Sequence, residues 1–381
     1  MLNRVNYQEK ELLRLARRRD TSKRAYLLVN PLQAKHVPSR PGDALEMMEA
    51  LGRALATEYP ETGLVIGFAE TATAIGAVTA GFFPEDCVYL TTTREKLPEV
   101  KEWVLFREEH SHATEQKLCG DRLRERLRRT RQLIFVEDEL STGRTMGNVV
   151  RQLRERYPEM AGKPVIAASL LNRMSEENMG QLRELGVTCR WLLRIPEEDY
   201  TPRVLRYTPL EPVDCRGAEM PPEGLESIHL DCALPNPRTG VPAGEYQRRC
   251  AALAGAALER VRDRLHGHVL VLGTEECMYP ALLLAQAIDA LGAAGSVAVH
   301  ATTRSPIAIS LDSGYPITNG YEMSSFYEKE RNTYVYNLQK YDTAIVLSDA
   351  APENPAGPCD LAAACGYWGV KPVFLYGGKH V

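Results

Sequence analysis

The sequence has 381 residues, 44% hydrophobic and 25% charged, with 46 basic and 50 acidic side chains and a formal net charge of −4. That length suggests two domains of ordinary globular composition, and the slight acidic excess gives no general electrostatic case for binding nucleic acid or an anionic membrane. No apolar run approaches the roughly 18 residues of a membrane span, residues 1–23 lack the apolar stretch of a signal peptide, and nine scattered cysteines without a CxxC pair favour reduced thiols in the cytoplasm.

Taken in order, residues 9–19 predict a short basic helix and residues 25–29 a first strand, which empties into a proline-bearing loop over 30–38. Lys35 and His36 stand in that loop, either as a cation and a proton carrier or as part of a solvated turn. Asp43 is placed to cap a helix with Leu45, Met48, Leu51 and Leu55 on one face. Residues 64–68 read as the next strand. Glu70, Thr71, Ala72 and Thr73 follow as a short polar turn before a small-residue helix, an arrangement able to offer amides and hydroxyls to a phosphate. A strand over 88–90 ends in Thr91-Thr92-Thr93-Arg94, where the guanidinium is placed to neutralise an anion. The polar segment that follows carries His110 and His112, either beside a ligand or in an exposed charged loop. Residues 122–131 are strongly basic, but Glu125 interrupts them and no aromatics interleave, which favours a solvated helix face over an RNA contact.

Residues 132–145 organise the rest of the chain. Leu133, Ile134, Phe135 and Val136 form the apolar run of a covered parallel strand, and Glu137, Asp138 and Glu139 stand at its carboxyl end. Ser141, Thr142, Gly143, Arg144 and Thr145 then make a small-residue turn before a helix expected over 146–157. Hydroxyls, a glycine and a helix N-terminus suit an anion, and carboxylates next to them suit sugar hydroxyls. Further strands over 164–170 and 187–193, separated by a helix near 176–185, predict a parallel, doubly wound sheet with its ligand loops at the carboxyl edge.

This stretch resembles the phosphoribosyl-pyrophosphate (PRPP) signature of type I phosphoribosyltransferases. The resemblance implies that Glu137 and Asp138 hold the ribose hydroxyls and that residues 141–145 hold the 5′-phosphate. It also implies that Glu70–Thr73 form the pyrophosphate loop, and that a hood carrying His110 and His112 closes over PRPP near Arg94. Magnesium would enter mainly through PRPP. Glu139 departs from the aliphatic residue usual at its position in that family.

From 209 to 242 prolines punctuate a stretch in which Leu225, Ile228, Leu230 and Leu234 recur, as expected of a docked connector. A helix over 246–265 and a strand over 269–272 open a second α/β unit that echoes the first. Gly273 and Glu276 correspond to Gly67 and Glu70, Thr303-Arg304 to Thr93-Arg94, and Asp349 to Asp138, at nearly equal spacings. The phosphate cradle does not recur, which points to a degenerate duplicate. Thr303-Arg304-Ser305-Pro306, with Gly273–Pro280 and Tyr334–Asn337 around it, resembles the TRSP domain, the C-terminal companion of a phosphoribosyltransferase-like domain in bacterial operons related to tellurite resistance. Glu276, Arg304, Ser305 and Asp349, like Lys35 and His36, are candidates for a second ligand pocket, for a surface completing the first, or for a structural ion-pair network.

The expected fold class is α/β: a parallel doubly wound sheet of phosphoribosyltransferase type plus a second, smaller α/β domain. The expected division is 1–206 for the first domain, 207–242 for the connector and 243–381 for the TRSP-like domain. The resemblance implies magnesium-assisted phosphoribosyl transfer from PRPP to a nitrogenous small-molecule acceptor, or the reverse pyrophosphorolysis, in nucleotide- or nucleoside-related metabolism. The other reading is a catalytically silent sensor of PRPP or a nucleotide. Neither nucleic acid nor membrane is an expected partner; a second copy of the chain or operon-encoded proteins are.

Overall fold

The structure, a computed structural model, describes residues 7–20, 24–106, 116–221 and 223–378. His110 and His112 lie outside the described residues. Helix α1 (Glu9–Leu12) is a single turn, and β1 (Arg14–Arg17) then pairs antiparallel with β2 (Tyr26–Val29). The helix expected over 9–19 therefore stops early. Residues 14–17 satisfy their backbone groups on a strand that follows a loop, and such a partner overrides local helix propensity. Next come α2 (Pro41–Glu58), with Met47, Met48, Leu51 and Leu55 buried, then β3 (Thr62–Gly67), α3 (Thr73–Ala80) and β4 (Val88–Thr91). The antiparallel strands β5 (Trp103–Phe106) and β6 (Gln116–Cys119) precede α4 (Leu123–Arg129), β7 (Gln132–Leu140) and α5 (Arg144–Arg156). β8 (Val165–Asn172), α6 (Glu176–Glu184) and β9 (Val187–Arg194) follow.

The stretch 209–242, expected as a docked connector, carries short strands of its own. That stretch is preceded by α7 (Thr201–Val204) and contains β10 (Val213–Asp214), β11 (Ser227–Ala233) and β12 (Val241–Pro242). Then come α8 (Ala243–Val261), β13 (His268–Gly273), α9 (Tyr279–Leu291) and β14 (Ser296–Ala301). The chain closes with β15 (Gly320–Ser324), β16 (Asn332–Tyr336), β17 (Thr343–Ser348), α10 (Ala356–Gly366) and β18 (Pro372–Gly378).

Two compact units result. One gathers Glu46–Glu198 and Pro235–Arg248; the other gathers Lys10–Leu45, Asp199–Leu234 and the residues from Arg249 onward. The linear division at 206 and 242 does not coincide with these units, because β1, β2 and β11 take their partners from the second. With those segments the second unit holds more of the chain than the first.

The first unit is built on a six-stranded sheet ordered β12-β4-β3-β7-β8-β9, parallel throughout except for β12. Every residue of β8 is buried, as a parallel strand covered on both faces requires. Leu64, Ile66, Leu133 and Phe135 pack there with Val149, Val150 and Leu153 of the helix after the acidic strand. The second unit carries a fully parallel sheet ordered β11-β18-β17-β13-β14, with Leu270, Leu272, Val346 and Phe374 in its core. In each sheet one strand–helix–strand connection runs outward on one side and another on the other side. The switch lies between β3 and β7 in the first unit and between β13 and β17 in the second. Ligands of open α/β sheets bind at the carboxyl ends of the strands flanking such a switch.

Candidate functional site

In the first unit the switch point is framed by the turns after β3 and β7. Phe68 continues β3 by donating to the Val136 carbonyl (3.0 Å), and the chain then turns through Ala69, Glu70, Thr71 and Ala72 into α3. The Ala69–Glu70 peptide is cis. The Ala69 amide donates to Thr92 Oγ1 (2.9 Å), that hydroxyl donates to Gln116 Oε1 (2.6 Å), and Gln116 Nε2 returns to the Ala69 carbonyl. Gln116, which the sequence did not single out, thereby ties β6 to the turn. α3 can approach because Gly67 and Gly76 face each other; a Cβ on Gly76 would lie 3.0 Å from Gly67 Cα. Arg94, partly buried, follows Thr93, which bridges to Lys117 of β6.

β7 runs straight through the acidic residues to Leu140, pairing Glu137 with Ser169 and Glu139 with Leu171, so all three carboxylates leave from rigid backbone. Each is partly exposed. The turn 141–143 then delivers α5, whose first residue, Arg144, donates its amide to Thr142 Oγ1 (3.3 Å). Gly143 is left-handed (φ 71°), and a Cβ there would lie 2.8 Å from both Leu182 Cδ1 and Met174 Sδ. Gly143→Ala is therefore expected to cost about 1–2 kcal/mol through backbone strain alone and to displace the cradle; chemical denaturation with a parallel PRPP titration checks both. A cleft of about 240 Å³ borders Thr142, Gly143 and Arg144 on the α5–α6 side, without reaching Glu137 or Asp138. Among the described residues no group of three His, Cys, Asp or Glu could hold a metal. Glu137 and Asp138, adjacent and partly exposed at the end of β7, suit a magnesium ion that keeps its waters and takes further oxygens from a ligand.

The second unit repeats this backbone geometry. Thr302 donates to the Gly273 carbonyl (3.0 Å) as Thr92 does to Gly67 (3.0 Å), and the Glu275 amide reaches Thr302 Oγ1 (2.9 Å) as Ala69 reaches Thr92. Thr274 donates to Leu347 (3.3 Å) as Phe68 does to Val136, and Thr303 bridges to Tyr334 as Thr93 does to Lys117. Arg304 thus occupies the place of Arg94, Glu276 that of Glu70 and Asp349 that of Asp138.

The contents differ. Where the first unit has Ala69, the second has Glu275, fully buried and at positive φ (46°). Its Oε2 accepts from Arg304 Nε (2.9 Å) and Arg331 Nη1 (3.0 Å), and Ser325 donates to Oε1. Burial pushes the Glu275 carboxyl up, but the two guanidinium groups and the hydroxyl outweigh it and hold the group below the usual carboxylate range. Arg304 also reaches Glu276 Oε1 (3.2 Å). Tyr327 joins Thr274 Oγ1 (2.6 Å) to Asp349 Oδ1 (2.8 Å). Burial, then the Asp349 charge, raise that phenol well above its ordinary value. Glu275 and Ser325 escaped the sequence reading because neither has a counterpart in the phosphate-loop pattern; only the Thr-Glu-Glu run hinted at an extra carboxylate. Ser305 donates its amide to Thr303 Oγ1 (3.2 Å), a turn contact.

Lys35 and His36 fall in the second unit and are buried, not solvated. Lys35 Nζ donates to the carbonyls of Glu275 (2.9 Å) and Thr302 (2.8 Å), clamping the loop after β2 to the strand ends. Burial, followed by the Lys35 and His300 charges, lowers His36 to about 3, and burial lowers His300 to about 4. Both imidazoles fold neutral, so the unfolded chain takes up protons first. Stability from these groups is complete above the ordinary histidine pKa of about 6.5 and declines below it, by an amount of order a few kcal/mol. The melting temperature is expected to fall steadily from pH 7 to pH 5, with a flatter slope in His36→Gln; an unchanged slope would remove His36 from the account.

The layered architecture and the switch-point turns define a doubly wound α/β protein. Residues 12–195 match the family described as phosphoribosyl transferase, and residues 236–360 match the TRSP domain that lies C-terminal to it. The chain thus carries a phosphoribosyl transferase family domain followed by the TRSP domain that accompanies it. Among solved structures it is similar to adenine phosphoribosyltransferase from Giardia lamblia complexed with 9-deazaadenine, at 14% identity over 48% of this chain and 94% of that one, TM-score 0.33. The Trypanosoma brucei adenine enzyme, in complex with AMP, pyrophosphate and ribose-5-phosphate, aligns at 12% identity over 49% of this chain and 77% of that one, TM-score 0.34. Orotate phosphoribosyltransferase from Aeropyrum pernix aligns at 18% over 43% and 73%, TM-score 0.25. No curated protein matches. Among the described residues no helix is long and apolar enough to cross a membrane, and none of the nine cysteines is in a disulfide.

Proposed function

We propose that the first unit binds PRPP and transfers its phosphoribosyl group to a nitrogen of a small base-like acceptor. The observation that carries this reading is the rigid run Glu137-Asp138 leading directly into the 141–145 cradle at the switch point. In this reading Ser141, Thr142, Thr145 and the first amides of α5 take the 5′-phosphate, and Glu137 and Asp138 take the ribose hydroxyls. Glu70–Thr73 and Arg94 take the pyrophosphate. The C1–O bond breaks with its electron pair leaving on pyrophosphate, the C1–N bond forms, and the acceptor proton passes to solvent. A magnesium ion, when bound with PRPP, supplies charge neutralisation of the leaving group. Catalysis then comes mainly from positioning and from carboxylate charge beside the developing oxocarbenium ion.

The second unit, in the same reading, is a degenerate duplicate. At its switch point Arg304 is consumed by Glu275, and residues 350–355 replace the cradle. The position corresponding to Glu275 in the first unit is Ala69. Labelled pyrophosphate exchanging into PRPP in the presence of an acceptor panel tests the transferase reading. Tight PRPP binding without exchange across that panel would mark a sensor instead.

A further inference from the structure

A cavity of about 590 Å³ opens at the other edge of the first unit's sheet, where β3, β4 and β7 begin. Pro84, Val241 and Pro242 give it an apolar wall, and four arginines, 122, 126, 129 and 131, are among the residues that line the remainder. Three of them have exposed carboxylate partners: Arg131 pairs with Glu61, while Arg122 (3.6 Å) and Arg129 (3.9 Å) share Glu125. Such pairs are weak and easily exchanged for a better anion.

Arg126 differs. It is half-buried on the inner side of α4, between the buried Leu123 and Leu127. Its Nη2 donates to the Gly240 carbonyl (2.8 Å), its Nη1 is buried with no hydrogen-bond partner among the described residues, and no carboxylate lies within 4.0 Å. Gly240 is left-handed (φ 84°), and any Cβ there would run into the Arg126 guanidinium, so the sequence keeps this space for it. Burial pulls the Arg126 pKa below its ordinary value, the direction a bound anion would reverse.

A desolvated guanidinium with an open N–H and no carboxylate is costly, and a phosphate oxygen pair offsets that cost with charge-assisted bonds. The volume is far larger than inorganic phosphate needs and lies in the range of small-molecule sites. Glu61, Asp86 and Glu125 at the same cavity oppose a long polyanion. We propose that this cavity binds a mononucleotide-sized phosphate monoester, with the phosphate on Arg126 and Arg129 and the organic group on the proline-valine wall. It lies a strand length, roughly 20 Å, from the carboxyl-edge loops, and its occupation does not compete with theirs.

Calorimetric titration of the full chain with AMP and, separately, adenosine tests this. AMP is expected to bind with a component that Arg126→Gln weakens at least about tenfold and the exposed Arg129→Gln weakens by about threefold. Asp138→Asn leaves that component unchanged, and adenosine lacks it. Because Arg129 is a surface residue, its variant keeps the test open should Arg126→Gln fold poorly. An AMP isotherm untouched by either arginine substitution, equal binding of adenosine, no AMP binding at millimolar concentration, or tighter binding of an RNA oligomer at the same arginines would each overturn the proposal.

Discussion

Asp138→Asn is expected to lower phosphoribosyl transfer by about 10²–10³-fold while the protein keeps its fold and melting temperature. The residue sits one position into the acidic end of β7, whose backbone is paired with β8 on both sides of it. The amide is nearly isosteric, so the strand has no reason to move. What changes is charge: in the proposed reading, one of the two carboxylates assigned to the ribose is neutralised beside the positive charge that develops at C1. Loss of a group acting mainly in the transition state lowers kcat more than it raises KM. Steady-state kinetics with circular dichroism on the same sample separates this outcome from a folding defect. An unchanged PRPP titration together with unchanged turnover would count heavily against the ribose assignment.

The second large effect is on stability. Glu275→Ala is expected to cost about 3–5 kcal/mol of unfolding free energy, because it removes the fully buried carboxylate on which Arg304 and Arg331 converge. Glu276, itself buried, and the more exposed Glu328 remain as second partners of those arginines and limit the loss. Since the Glu275 carboxyl is held below its usual range, its contribution is fully present at neutral pH and is lost as pH falls through and below that range. Denaturant melts of the wild type and variant at pH 7 measure the difference directly. A loss under about 1 kcal/mol would show that the cluster holds little of the second unit together.

Much of the backbone of the candidate site in the first unit was legible because its parts are local. An apolar run, paired acids, a small-residue turn and a helix follow one another within fourteen residues, and a strand followed by a helix N-terminus is built from near neighbours. The internal echo was legible for a related reason: Gly67 and Gly273, or Arg94 and Arg304, mark strand ends, and strand ends recur when a framework recurs. The misses came from distant partners. Residues 14–17 look helical until β2 is known to lie beside them, and the prolines around 227–233 conceal a short strand that needs β18 to exist. Lys35 could not be recognised as a buried clamp because its acceptors are backbone carbonyls some 240 and 267 residues away. Backbone acceptors carry no side-chain signature.

The pairing of a complete cradle with a frame that lacks one makes a sharp claim about stoichiometry. Titration of magnesium-PRPP into the full chain by calorimetry is expected to give one equivalent per chain, weakened by Asp138→Asn and unaffected by Asp349→Asn, in which the Oδ1 acceptor for Tyr327 is kept. Two equivalents per chain, or a single one lost with Asp349→Asn and retained with Asp138→Asn, would contradict the assignment of PRPP to the first unit.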